Sequence, residues 1–356
     1  MAAAHLNRIS TAVPDHDVHS VFMGFAERVL RQDGKHALFR RMAARAQIEH
    51  RWSCLTPAGD GQGAALDREG FYTAGRFPPT ASRMRRFEAA APRLAERAVA
   101  GLNLEAPEGI THLVTISCTG LFAPGIDFHL MRRFGLPGSV ARTSVGFMGC
   151  YAAINGLRLA QQIVNADPAA RVLLVSLELC TLHLQDTHDL EQVLSFMIFG
   201  DGCAAALVTA DAEGLALDGF TSILVPQTEG HITWGIGDQG FDMVLSGQVP
   251  GSIGQFLGQN RGQVMPEDAA RETTLWAVHP GGRSVLDAVQ QAFDLPPEAL
   301  AHSREVLRAF GNMSSATVLF VLAAMMRDPA TRAGQTGCAM AFGPGIVAET
   351  MRFSVA

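Results

Sequence analysis

The chain has 356 residues, 48% of them hydrophobic, and a formal net charge of −6. That length fits two domains or one large duplicated unit, and the negative balance leaves no global basic field for nucleic acid. Lys35 is the only lysine and lies in a polar stretch, which argues against lysine Schiff-base chemistry.

In chain order, residues 38–45 form an amphipathic helical pattern in which Arg41 and Arg45 share a face. A second helical pattern covers 82–100. Residues 113–116 read as a buried strand, 151–164 as a helix, and 172–175 and 203–208 as strands, the last being an alanine-rich run. Residues 275–278 read as another strand, followed by helices over 285–293 and 314–326. Strands alternating with longer helical patterns predict an α/β architecture with helices covering sheets.

The sequence also repeats itself. Residues 111–117 (THLVTIS) resemble 273–279 (TTLWAVH), and Gly149-Cys150 and Gly311-Asn312 each open an apolar helix; both matches are 162 residues apart. Two matches at one offset predict two similar halves, residues 1–212 and 213–356. A pseudo-twofold relation between them would bring the corresponding helix starts, and so Cys150 and Asn312, to one pocket.

The six cysteines, Cys54, Cys118, Cys150, Cys180, Cys203 and Cys338, form no CxxC pair and no cluster with zinc spacing. No metal site is expected. No signal-peptide pattern opens the sequence, and no apolar run reaches the roughly 18 residues of a membrane span, so the expected location is cytoplasmic and reducing. Cys150 follows two glycines at a predicted helix start, where free backbone N–H groups and the helix dipole favour thiolate. His279 ends a predicted strand, a common place for a catalytic side chain in α/β proteins. Taken singly, each residue also has an ordinary explanation: a buried thiol, a structural histidine, and for Asn312 a helix N-cap.

Taken together, the blocks Gly149-Cys150-Tyr151-Ala152, His279-Pro280-Gly281-Gly282 and Gly311-Asn312-Met313-Ser314-Ser315-Ala316 resemble the three catalytic signatures of chalcone synthase-like, type III polyketide synthases. Phe199-Gly200-Asp201-Gly202 and Phe342-Gly343-Pro344-Gly345 are similar to further family blocks, in the same order, from about residue 11 to residue 350. The resemblance implies a thiolase-like, layered αβαβα fold. It implies an acyltransferase that condenses an acyl-CoA starter with malonyl-CoA by decarboxylative Claisen condensation, with no cofactor beyond these substrates, and a homodimer. It assigns Cys150 as nucleophile and His279 and Asn312 as donors to the thioester oxygen. It places Phe199 between cavity and CoA tunnel, Met243 where plant enzymes carry a second phenylalanine, and Ser314 in the cavity. Arg41, Arg45 and Ser284 would meet CoA, while a third family lysine is replaced by Leu38. Cys118 would line the cavity, and Thr119, Ala123 and Cys180, all modest in size, match positions that line an acyl tunnel in long-chain members. A fatty acyl-CoA starter giving alkylpyrones or alkylresorcinols is therefore expected, unless neighbouring side chains such as Trp234 or Met243 fill the space that Ala123 leaves. A short or malonyl starter, which Cys118 also fits, remains open, as does a carrier-protein-dependent ketosynthase. A papain-like hydrolase shares the Cys, His, Asn order but leaves the repeat unexplained, and an inactive scaffold leaves the triad without a purpose.

Overall fold

The computed structural model describes residues 3–356. Among them the strands are β1 (His5–Ala12), β2 (His16–Asp17), β3 (Trp52–Ser53), β4 (His112–Ser117), β5 (Ala141–Gly146), β6 (Val172–Leu179) and β7 (Asp201–Thr209). They continue with β8 (Leu215–Leu224), β9 (Ile232–Gly237), β10 (Gly240–Leu245), β11 (Thr273–Val278), β12 (Thr336–Gly343) and β13 (Val347–Val355). Nine of these join in the order β11-β12-β13-β8-β1-β7-β6-β4-β5. β1 and β8 meet only at His5–Ala216 and Leu6–Leu215, so the sheet divides there. Outward from β1 come β7, β6 and β4; outward from β8 come β13, β12 and β11. Both arms have an antiparallel pair, β6/β7 and β12/β13, and both end in parallel pairing, β4/β6 and β11/β12. The arms differ in β5, an extra parallel edge strand beside β4.

The pleat sends alternate side chains to opposite faces, and this sorts the core into layers. On β6, Leu173, Val175 and Leu177 pack into one cluster with the helices Thr80–Ala100 and Ile126–Phe134. Val172 and Leu174 face the other way, toward the helices Ala152–Ala166 and Thr317–Arg327. On β12, Ala339 and Ala341 face those same two helices, while Cys338 and Met340 meet the helices Val249–Val264 and Arg283–Ala292. The result is helix, sheet, helix, sheet, helix. The helix Thr317–Arg327 is buried along almost its whole length, as a helix between two sheets must be. The alanine run of β7 is a strand because both of its faces are covered: Ala204 and Ala206 meet the central helices, and Cys203, Ala205 and Leu207 the outer ones.

Two small sheets stand apart. β2 pairs with β3. β9 and β10 form a hairpin in which Met243 lies opposite Trp234. Among the described residues no helix is long and apolar enough to cross a membrane.

Candidate active site

Cys150 lies in the 3-10 turn Gly149–Tyr151, between β5 and the helix Ala152–Ala166. Gly149 has φ +74°, and a Cβ there would come within 2.2 Å of Pro344 Cδ; only glycine fits. Asn312 is presented in a related way. Gly311 before it has φ +68°, and a Cβ would sit 2.7 Å from the Ile198 carbonyl. The Asn312 N–H donates to Ile198 O at 2.8 Å and the Gly200 N–H donates to Asn312 O at 2.9 Å, which ties this turn to the Phe199-Gly200 segment. His279 follows β11 directly, with its N–H donating to Met340 O at 2.7 Å.

The three side chains line one largely apolar cavity with Phe199, Trp234, Met243, Ile253 and Phe342. It encloses about 70 Å³, well below the roughly 300 Å³ of a drug-sized ligand site. A cleft of about 890 Å³ opens beside it. The two share Leu245, Val249, Gly281 and Val285, so the cleft is the approach to Cys150.

The electrostatics differ from the sequence expectation at Cys150. Burial pushes its thiol up to about 11, against hydrogen bonding with Ser314 and Asn312 that lowers it. Burial thus opposes the thiolate that free N–H groups at a helix start favour. Burial likewise holds the His279 imidazole down to about 3. Cys150 Sγ lies 3.8 Å from Ser314 Oγ. Both ring nitrogens of His279 are buried without a partner among the described residues, an unusual state for buried polar atoms. Asn312 Oδ1 accepts from the Ser314 N–H at 2.8 Å, while its Nδ2 faces the Cys150 sulfur and makes a long contact of 3.4 Å to Gly281 O. The amide is thus oriented by its oxygen and leaves N–H capacity for a ligand.

Cys118, Thr119, Cys180, Phe199, Met243 and Ser314 share the cavity with the triad. Ala123 does not. It is exposed and borders a separate opening between Phe122 and Asp127, because the loop after β4 turns outward beyond Gly120. Arg45 and Ser284 line the approach cleft. Arg41, one turn away on the helix His36–Ala46, is exposed and does not line it.

Trp234 and two residues beyond those expected, His183 and Glu178, shape the site. Trp234 fills its outer wall, its Nε1 donating to Cys118 O at 2.7 Å. Buried His183 stacks on Phe241 at 4.2 Å; its Nδ1 accepts from the Phe241 N–H at 3.0 Å, which leaves Nε2–H to donate to Thr119 O at 2.7 Å. Glu178 is buried beneath the cavity floor, accepting from the Cys118 N–H at 3.0 Å and from the hydroxyls of Thr119 and Ser315. Burial raises its carboxyl to about 7 against those hydrogen bonds. A lone glutamate inside the run VLLVSLEL was the available signal for it.

Comparisons with known proteins agree with this geometry. The family model for the N-terminal domain of chalcone and stilbene synthases matches residues 3–212, and that for the C-terminal domain matches residues 217–355. An alpha-pyrone synthesis polyketide synthase-like protein, Pks18 of Mycobacterium tuberculosis, is 35% identical over 272 residues, 74% of this chain and 69% of that protein. Bisdemethoxycurcumin synthase of Oryza sativa is 36% identical over 279 residues, covering 73% and 69%. The structure of PKS-I from the brown alga Ectocarpus siliculosus superposes with a TM-score of 0.87 at 27% identity, covering 99% of this chain and 98% of that one. With both halves matched in order around a cavity that gathers Cys150, His279 and Asn312, the chain belongs to the chalcone and stilbene synthase family and is a type III polyketide synthase.

Proposed function

We propose that the enzyme transfers an acyl group from acyl-CoA to Cys150 and extends it with malonyl-CoA, releasing products of the α-pyrone class. The observation that carries this reading is the buried, unpartnered His279 ring beside the Asn312 amide in the cavity that holds the Cys150 sulfur. A thioester entering from the cleft supplies what these groups lack. Cys150 Sγ attacks its carbonyl carbon and passes its proton to His279. The thiolate of CoA leaves, taking that proton back. Malonyl-CoA then loses its carboxylate as carbon dioxide, and the electron pair moves onto the thioester oxygen. His279 and Asn312 N–H groups donate to that enolate oxygen, fixed donors of a kind whose loss typically costs about 100- to 1000-fold in rate. The enolate carbon attacks the acyl-cysteine carbonyl, a carbon–carbon bond forms as the carbon–sulfur bond to Cys150 breaks, and the extended chain, now on CoA, returns to the freed Cys150 for the next round. Arg45 and Ser284 on the cleft wall, with Arg41 at the rim, would hold CoA. A homodimer in a reducing compartment, with all six cysteines free, completes the reading.

The starter depends on Trp234 and Met243. A fatty starter is the expectation from the small residues Thr119, Ala123 and Cys180, but Ala123 contributes no wall to this cavity. A volume of about 70 Å³ behind the thiol supports a second reading, a short or malonyl starter. A long chain, gaining about 0.8 kcal/mol per buried methylene, needs Trp234 to leave its bond to Cys118. The test is mass spectrometry of products from malonyl-CoA and acyl-CoA starters running from acetyl to palmitoyl. Chain-length-dependent polyketide products support the proposal; no product from any starter refutes it.

A further inference from the structure

Asn312 follows the helix Ala301–Phe310 by one glycine, and its main chain is held by an isolated bridge to Phe199. Arg51 stands behind both sides of that bridge. Its side chain is fully buried and lines neither the Cys150 cavity nor the approach cleft. The stem packs under Gly311, where a Cβ would come 2.9 Å from Arg51 Cγ, and beside Gly200, where a Cβ would lie 3.6 Å from Arg51 Cβ. Arg51 Nη1 donates to Phe196 O and to Phe199 O, each at 3.3 Å. Arg51 Nε donates to His19 Nδ1 at 3.0 Å; burial and the Arg51 charge hold that imidazole down to about 4, which keeps it an acceptor. The neighbours of Arg51 in sequence grip the other side. The Glu49 and His50 N–H groups donate to Arg308 O at 2.8 and 3.1 Å, and Trp52 Nε1 donates to Ala309 O at 3.0 Å. Residues 49–52 therefore seat the end of the helix that delivers Asn312.

We infer that Arg51 is a positioning residue for decarboxylation: it fixes the Phe199-Gly200 segment and, through the bridge, the turn that aims the Asn312 amide. This rests on the proposed function, in which that amide donates to the enolate oxygen. Burying a cation is costly unless its donors are used, and the bonds of this guanidinium go to uncharged acceptors: two carbonyls, the His19 ring and, at 3.8 Å, the Met197 sulfur. Packing under Gly200 and Gly311 asks only for an apolar stem. The planar fork adds donors that reach two carbonyls three residues apart. One of them, Phe196 O, ends the helix Leu190–Phe196, where positive charge is also favoured. A donor to an enolate works only if it is fixed before the charge develops. The Asn312 side chain is fixed by its own oxygen, its main chain by Ile198 and Gly200, and that segment by Arg51.

The experiment is a double-mutant cycle between Arg51→Met and Asn312→Ala, read by carbon dioxide release from labelled malonyl-CoA. Acylation of Cys150 by hexanoyl-CoA and Tm are measured on the same samples. Arg51→Met keeps the stem and removes the donors. It is expected to slow carbon dioxide release about tenfold, the scale of a small displacement of a catalytic group, and to slow acylation less. Arg51→Lys, which keeps charge and one donor position, should lose less than Arg51→Met. In the Asn312→Ala background, Arg51→Met should slow release by less than about twofold more, because the group it positions is already gone. Losses that multiply overturn the inference, since Arg51 would then act on the fold at large. Full carbon dioxide release in Arg51→Met overturns it too. Loss of folded protein in both Arg51→Met and Arg51→Lys assigns Arg51 to folding and likewise overturns it. In each of these cases an active wild type leaves the proposed function standing. Wild-type enzyme that neither acylates nor releases carbon dioxide removes the proposed function, and the inference with it.

Discussion

The indole N–H of Trp234 donates to the carbonyl of Cys118 at 2.7 Å, which fastens the β9–β10 hairpin to the strand end that walls the cavity. The ring is held from two further sides, edge-on to His183 at 5.6 Å and to Phe241 at 5.8 Å. The cavity is narrow because this side chain is held in place, and on the proposed function its width would set the range of starters.

Trp234→Gly should widen the site and shift turnover toward longer starters. We expect the ratio of kcat/KM for octanoyl-CoA over acetyl-CoA to rise about tenfold or more, the weight of a few buried methylenes. Trp234→Phe keeps most of the bulk and loses the hydrogen bond, so it should shift the ratio little and cost about 1 kcal/mol in stability. An unchanged ratio in Trp234→Gly would show that the chain runs elsewhere.

Alkylation tests whether Cys150 and His279 rest neutral. With the thiol near 11, the thiolate fraction of the free enzyme rises with pH. Modification of Cys150 by iodoacetamide should therefore climb about tenfold per pH unit from 7 to 9. His279, held near 3, adds no step in that range. A plateau of fast labelling at pH 6–8 would mean a thiolate–imidazolium pair instead.

Glu178 predicts a stability effect whose sign follows from its raised carboxyl. The folded value lies near 7 against 4.5 for the ordinary group, so folding favours the protonated form. The stability associated with that protonation is fully present below about pH 4.5 and is lost as pH rises through 7. Asp201, raised to about 6 by burial, titrates in an overlapping window, so wild type alone does not separate the two. The difference in Tm between Glu178→Gln and wild type should grow in favour of the variant from pH 5 to pH 8, corresponding to at most a few kcal/mol. A constant difference would place the pH dependence on Asp201.

How much of this was legible in the sequence follows from what fixes each residue. The turns that present Cys150 and Asn312 were readable because glycines mark them: Gly149 and Gly311 are required by positive φ and close approach, and such constraints leave a local signature. Buried strands such as β6 were readable as continuous apolar runs. β5 was not, because its residues are mostly exposed at the sheet edge. Trp234 was legible only as a side chain able to fill the cavity. Its actual place depends on the register that sets it opposite Met243 and on the distant Cys118 carbonyl, and neither leaves a local pattern. That Ala123 lies apart from this chain's cavity was not legible for a related reason, since the course of the loop after Gly120 is set by tertiary packing. The thiol of Cys150 shows the same limit: a helix start is visible in sequence, and the desolvation that opposes it is not.

His279 and Asn312 should separate by step. Loading needs a proton acceptor for Cys150, and His279 has two buried ring nitrogens with nothing else to serve. Decarboxylation needs donors to the enolate oxygen, and Asn312 Nδ2 is weakly engaged while its Oδ1 is fixed by the Ser314 N–H. His279→Ala should therefore slow both acylation of Cys150 and release of carbon dioxide from malonyl-CoA. Asn312→Ala should slow decarboxylation about 100-fold or more while acylation falls by less than tenfold. Asn312→Asp refines the test. It keeps the acceptor for the Ser314 N–H but removes the donor and sets a carboxylate beside the developing enolate. It should decarboxylate no faster than the alanine variant, although it preserves the turn. The measurements are single-turnover acylation by mass spectrometry and carbon dioxide release from labelled malonyl-CoA. If Asn312→Asp retains decarboxylation, Asn312 acts by shaping the turn and the donor role passes to His279 alone. If acylation falls equally in His279→Ala and Asn312→Ala, the two residues work as one unit in both steps.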